Sequence, residues 1–247
     1  MISLSRIRLD REVARWQSAG HRPRLWWRDD DARQTGDRLE RLLQTAAGLP
    51  LSLAVIPEGA TPALARRLAR EKAVTVSQHG SDHRNSRKPG EPAGEYPPGA
   101  PISLTAKTIL QGEQRLRDCG FEPGFYTPPW NRLDETLLEA LHVAGYRALS
   151  AWNEEQSERY TGLRRLDVHI DLLRWKGGPR FRGAGNMLDC LREQLAERRE
   201  ANDFTRPIGL LTHHLDHDEE AWRFLDWFID FAKPRFEIGG YFDFLRV

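Results

Sequence analysis

The chain has 247 residues, 39% of them hydrophobic and 30% charged; that is enough for one large core, and α/β barrels of this length often form a single domain. With 37 basic against 36 acidic residues the formal net charge is +1, so no global field draws the chain to nucleic acid or to an anionic membrane surface. Charges run through the N-terminal MISLSRIRLDREVARW, where a secretory signal needs an apolar stretch, and no segment approaches the roughly 18 apolar residues of a membrane span. A cytoplasmic protein is therefore expected.

Short runs rich in β-branched and aromatic residues alternate with longer stretches of helical period, the pattern of βα units around a parallel sheet. The N-terminal part of the chain predicts a strand over Arg24 to Asp29, a helix over Asp37 to Ala47, a strand over Leu51 to Ile56, a helix over Thr61 to Glu71 and a strand over Ala73 to Gln78. A helix over Ser103 to Asp118 follows, then a strand over Gly124 to Thr127, a helix over Leu133 to Ala144 and strands over Tyr146 to Ala151 and Arg164 to Ile170. A helix over Met187 to Glu200, a strand over Ile208 to His213 and a helix over Glu219 to Phe231 complete seven strands.

Local chemistry supports several of these boundaries. Thr61-Pro62 reads as an N-cap followed by proline at the first helical position, and Asp134-Glu135 puts carboxylates at a helix N-terminus that Gly145 is placed to close. Residues 84–101, RNSRKPGEPAGEYPPGAP, hold too much proline and glycine for a regular element. They form either a surface insertion or a rim or lid over whatever His83 binds. The two cysteines, Cys119 and Cys190, fall in helical segments without CxxC spacing, which favours buried thiols over a disulfide or a thiolate zinc site.

Three segments carry the chemistry. Asp29-Asp30-Asp31 follows the apolar Leu25-Trp26-Trp27, so at least one acid is expected at the carboxyl end of a strand, where α/β proteins place their sites. His79 and His83 follow a strand at a spacing that turns both imidazoles to one side, and histidine pairs are common zinc donors. Leu211-Thr212-His213-His214 ends the last strand, with His217 beyond it. Alternation puts His213 on the face of Leu211 and His214 on the other, so His213 is the one expected to point inward. A divalent ion that activates water needs two or three fixed N/O ligands with an acid and a base beside it, and these segments supply both sets.

The order Asp-Asp, HxxxH, a proline–aromatic segment and then Leu-x-His resembles the polysaccharide deacetylase family, the NodB-like carbohydrate esterases, over the stretch from Leu25 to about Phe231. The resemblance implies an irregular (β/α)7 barrel in a single domain, with its core over about 24–232. It further implies a metal-dependent hydrolase that removes an acetyl group from an amino sugar or a sugar-containing precursor. The metal ligands would be Asp31, His79 and His83, the ion zinc, the base Asp30 and the general acid His213. A one-residue shift would instead give the base and ligand roles to Asp29 and Asp30. Tyr126, Pro129, Trp130, His169 and Trp175 are the expected substrate-binding residues, the aromatics by stacking on sugar faces.

Two departures stand out. The family's third segment has an arginine before its proline–aromatic pair, but Tyr126-Thr127-Pro128-Pro129-Trp130-Asn131 has none; Arg28 and Arg132 are the candidates to replace it. The fourth segment is not recognisable in Ser150-Ala151-Trp152-Asn153, and Asp167-Val168-His169-Ile170-Asp171 lies in its vicinity. Hydrolysis of another C–N bond, or a barrel that binds metal or carbohydrate without turnover, are the alternatives these departures leave open.

Overall fold

The structure is a computed structural model that describes residues 4–152 and 162–245; Asn153 of the fourth segment lies outside them. In chain order the elements are α1 (Leu4–Ser18), β1 (Arg24–Ala32), α2 (Asp37–Ala46), β2 (Leu51–Val55), α3 (Pro62–Leu68), β3 (Val74–His79), α4 (Ile102–Asp118) and β4 (Tyr126–Thr127). There follow α5 (Glu135–Val143), β5 (Ala148–Leu149), β6 (Arg164–Arg165), β7 (Ile170–Asp171), β8 (Leu173–Arg174), β9 (Arg180–Phe181) and α6 (Ala184–Glu200). The last are β10 (Ile208–Thr212), α7 (Glu219–Ala232), β11 (Glu237–Ile238) and α8 (Tyr241–Phe244). The class is α/β, with the alternation of helices and parallel strands that an irregular (β/α)7 barrel requires. Two compact units make up the chain: one is Met1–Arg28, Arg38–Leu51 and Val168–Val247, the other Asp29–Asp37 and Ser52–Asp167.

In the first unit β10 pairs in parallel with β7, Leu211 opposite Asp171, and β11 pairs in parallel with the start of β1. The sequence reading missed α1. Its charged residues mask a buried stripe, Leu9, Val13 and Trp16, at helical spacing, and Trp16 Nε1 donates to the Leu195 carbonyl of α6 at 3.1 Å. The antiparallel pair β8–β9 was also not expected.

In the second unit the strand order is β6-β5-β4-β3-β2, and the ladders β3–β4, β4–β5 and β5–β6 are parallel. The core under them joins Ile109 and Ala106 of α4 to Leu137, Leu138 and Leu141 of α5, Tyr126 and Leu149. The expected Thr61 cap is present, accepting from Leu64 N at 3.2 Å, and Asp134, expected as a carboxylate at its helix N-terminus, proves to be the cap itself, accepting from Leu137 N at 2.8 Å.

Two strand expectations are corrected. The run Arg164 to Ile170 is not one strand but β6 and β7, because the chain changes partner: Arg164 and Arg165 pair with β5, Ile170 and Asp171 with β10, and side-chain bonds join the stretch between them. Asp167 accepts from Ala151 N at 2.7 Å, and His169 Nδ1 from Gly209 N at 3.0 Å. Strand β1 does not stop at Asp29 but runs to Ala32, whose carbonyl accepts from Ile56 N at 2.9 Å. The acid triplet is therefore part of the strand.

Candidate metal centre

Strand β1 ends with Asp29 and Asp30 fully buried and Asp31 partly exposed. Asp31 takes a left-handed φ of +74°, which aspartate tolerates better than most residues. Its Oδ1 stands 3.2 Å from His79 Nε2 and 3.3 Å from His83 Nε2, and the three ligand atoms form a compact group, the histidine side chains 2% and 17% exposed.

Strand β3 carries His79 to its own carboxyl end, and the loop after it turns back at Gly80 (φ +61°) and His83 (φ +58°). Residues held at such angles cluster at functional sites. A Cβ on Gly80 would collide with the Pro129 ring and the Glu95 carboxylate, so this turn requires glycine.

The tautomer of His79 is fixed. Its Nδ1 lies 3.0 Å from the Thr127 carbonyl oxygen, which can only accept, so Nδ1 carries a hydrogen and Nε2 is the nitrogen aimed at Asp31. A ring nitrogen facing a carboxylate at this distance calls for a positive charge between them, a proton or a metal ion, and one carboxylate with two imidazoles is a donor set that suits a divalent transition ion. The residues present fit a metal.

The local charges agree with that reading. Burial opposes protonation of His79, but the charge of Asp30 and the bond and charge of Asp31 outweigh it and raise its pKa. Burial, and then the neighbouring His79, push His83 down to about 4.

The loop 84–101 belongs to the same unit and supplies a residue that the sequence reading did not single out, Glu95. Its Oε1 accepts three consecutive backbone N–H groups, from Ser81 and Asp82 at 2.8 Å each and from His83 at 2.7 Å. Burial raises the Glu95 pKa even against these bonds. No motif spacing marks an acid in the middle of a proline-rich loop.

The other expected site residues divide. Pro129 is buried against Gly80, and Trp130, 38% exposed, lies with its ring 4.4 Å from that of His83. Tyr126 is fully buried in the core, its hydroxyl 3.1 Å from that of Tyr96 and its ring 5.5 Å from that of Tyr146, so it offers no face to a ligand. Of the candidates for the missing arginine, Arg28 is fully buried in β1 and Arg132 is exposed.

In the first unit, His213 follows β10 and is buried. Its Nδ1 lies 3.9 Å from Asp171 Oδ1, and its ring meets that of Trp175 edge-on at 4.6 Å. Asp171 is held in turn by Trp175 Nε1 and Leu173 N, each donating at 2.8 Å, and burial raises its pKa despite the opposing charge of His213. His169 is also buried. With Nδ1 accepting from Gly209 and its pKa pushed down to about 3 by burial and then by Arg198 and Arg206, it is neutral near pH 7. His214 and His217 are buried as well. The two cysteines are free and only partly buried.

No helix among the described residues is long and apolar enough to cross a membrane. Neither a family model nor a curated protein matches the sequence. Solved structures do match the fold. A protein described as a polysaccharide deacetylase from Mycobacterium smegmatis is 17% identical, with a TM-score of 0.63 over 92% of this chain and 90% of its own. A family 4 acetyl xylan esterase from Clostridium thermocellum in complex with a cobalt ion is 14% identical, with a TM-score of 0.54 over 90% of each chain. A peptidoglycan N-acetylglucosamine deacetylase is 15% identical, with a TM-score of 0.56 over 90% of this chain and 87% of its own. At these identities the likeness shows the fold, and the chain shares the α/β fold of the carbohydrate deacetylases.

Proposed function

We propose that this chain is a divergent NodB-like carbohydrate esterase, a metal-dependent hydrolase that removes an acetyl group from an amino sugar or a sugar-containing precursor. The observation that carries the reading is the group formed by Asp31, His79 and His83, with a fixed tautomer at His79. The fold shared with deacetylases and a carbohydrate esterase supports it.

Asp31 Oδ1, His79 Nε2 and His83 Nε2 would hold one divalent ion, zinc by the character of the donors. When bound, such an ion polarises the acyl carbonyl and acidifies water. Asp30, next to the ligand and buried, takes the proton of the attacking water on its carboxylate. His213, with Asp171 as its counter-charge, gives a proton to the departing nitrogen. Amide hydrolysis needs that second step because an amine is a poor leaving group. The backbone N–H of Trp130, the first after two prolines, is the donor proposed for the oxyanion. The exposed rings of Trp130 and Trp175 are the proposed sugar-stacking surfaces.

The absence of an arginine in Tyr126-Thr127-Pro128-Pro129-Trp130 favours a second reading, hydrolysis of a different non-peptide C–N bond by the same residues. Metal content of the purified protein, together with acetate release from N-acetylglucosamine derivatives, tests the first reading. Bound metal without acetate release would favour the second, and protein that takes up no metal would end both.

A further inference from the structure

We infer that Glu95 is a positioning residue for the metal ligands: from the loop 84–101 it clamps the backbone that carries His83, and so sets the affinity of the Asp31, His79 and His83 group. The inference rests on the metal reading above and goes beyond it, since neither the Asp-Asp pair nor the HxxxH motif includes an acid at this place.

The geometry is that of an anion in a nest of backbone donors. Three successive N–H groups, of Ser81, Asp82 and His83, converge on the single atom Oε1 at 2.7–2.8 Å. Such convergence needs a chain bent through unusual angles, and Gly80 and His83 supply them with φ of +61° and +58°. A histidine in the left-handed region carries a strain of order 1 kcal/mol, and three hydrogen bonds to a carboxylate offset it. Without them the loop is free to relax, and His83 Nε2 loses the position that brings it to 3.3 Å from Asp31.

The rest of the loop is built to deliver this carboxylate. Asn85 Oδ1 accepts from both Arg87 N and Gly94 N at 3.1 Å, Ser86 N donates to the Gly94 carbonyl at 3.0 Å, and Ser86 Oγ to that of Glu95 at 2.7 Å. These bonds fold residues 85–95 into a closed excursion. Arg87 pins it to Asp134 at 3.0 Å. Next to Glu95, the Tyr96 hydroxyl lies 3.2 Å from Ser81 Oγ. The opposite side of the turn is held by Gln78, whose Nε2 donates to the Gly80 carbonyl at 2.9 Å. The Pro129 ring and the Glu95 carboxylate both pack against Gly80. The long loop therefore acts on the ion through the backbone of its ligand, with no ligand of its own.

The experiment is a titration of the purified full-length chain with cobalt(II), followed by calorimetry and by the visible absorption of the bound ion, for the wild type and three variants. Glu95→Gln keeps an acceptor oxygen at the same reach. Glu95→Asp keeps the charge but is one methylene too short for all three donors, and Glu95→Ala removes both. The expected result is affinity within about 3-fold of wild type for Glu95→Gln and a loss of 10-fold or more for Glu95→Asp and Glu95→Ala, the range typical of residues that orient ligands, with a changed cobalt spectrum. Should Glu95→Ala fail to fold, the contrast between the other two variants decides. Equal affinity in Glu95→Asp and wild type would overturn the inference, as would a Glu95→Gln loss as large as that of Glu95→Asp, because an acceptor at full reach would then not suffice to hold the turn. A wild type that binds no cobalt would instead remove the metal reading itself.

Discussion

The carbonyl of Thr127 sets the direction of the His79 imidazole: Nδ1–H donates to it at 3.0 Å, and Nε2 is thereby aimed at Asp31 Oδ1, 3.2 Å away. Strands β3 and β4 pair His79 opposite Thr127, so the register of two neighbouring strands fixes the tautomer of a candidate ligand. A main-chain acceptor cannot be removed by a point substitution, which makes this orientation robust.

One divalent ion per chain is the expected stoichiometry. His79→Ala and His83→Ala abolish binding while far-UV circular dichroism stays that of the wild type, and Asp31→Asn weakens binding by at least about 10-fold. Asp30→Asn retains the ion and loses turnover. Elemental analysis of the dialysed proteins checks this, and metal lost from Asp30→Asn but kept by Asp31→Asn would move the ligand role by one residue.

Gly80→Ala places a Cβ against the Pro129 ring and the Glu95 carboxylate at a left-handed φ. Strain and overpacking together cost at least about 2 kcal/mol, a fall in Tm of about 4–8 °C for a chain of this size. Thermal unfolding of the metal-free protein measures it, and an unchanged Tm would mean that the turn rearranges cheaply.

His213→Ala lowers turnover by roughly 10²-fold or more with metal content unchanged, because a proton donor acts on the leaving group and not on the ion. His214→Ala and His217→Ala, at buried positions, lower stability more than turnover. Steady-state kinetics beside metal analysis separates these cases; loss of the ion in His213→Ala would make that histidine a ligand.

Acid weakens the fold through His169. Its folded pKa of about 3 lies below the ordinary 6.5, so between these values the unfolded chain binds the proton that the folded chain refuses. Stability from this group is intact above pH 6.5 and falls as the pH drops towards 3, by about 2 kcal/mol at pH 5. His169→Asn keeps an acceptor for Gly209 N and does not titrate. Urea unfolding at pH 7.5 and pH 5 is expected to show a smaller pH effect in the variant, and an equal effect in both would assign the acid sensitivity to other groups.

Much of the candidate site was legible because its candidate ligands follow strands that announce themselves. Leu25-Trp26-Trp27 and Leu51 to Val55 are nearly continuous apolar runs, the mark of strands buried on both faces, and the acids and histidines follow such strands. Helix α1 was not legible, since its buried stripe of Leu9, Val13 and Trp16 is interrupted by charged residues, including a buried Glu12 that is paired with Arg15 and Arg199. Burial keeps the Glu12 pKa from falling further, but the two arginines bring it below its ordinary value. Tyr126 read as a site aromatic because sequence shows neighbours in the chain and not the Tyr96 hydroxyl and the Tyr146 ring that meet it in the core. Glu95 escaped for the converse reason: its partners are backbone amides, which every residue type carries. Asp171 was legible as a strand-end acid, but its partnership with Trp175 depends on the turn into β8.

The ring of Trp130 stands 4.4 Å from that of His83 and is 38% exposed. An imidazole quenches the emission of an indole in contact with it, more strongly when it is protonated, and an open-shell ion such as cobalt(II) bound to the ring quenches it further. The chain thus contains its own optical reporter for the state of His83, and the part of the fluorescence response that disappears in Trp130→Phe reads the occupancy of this one position without any added label.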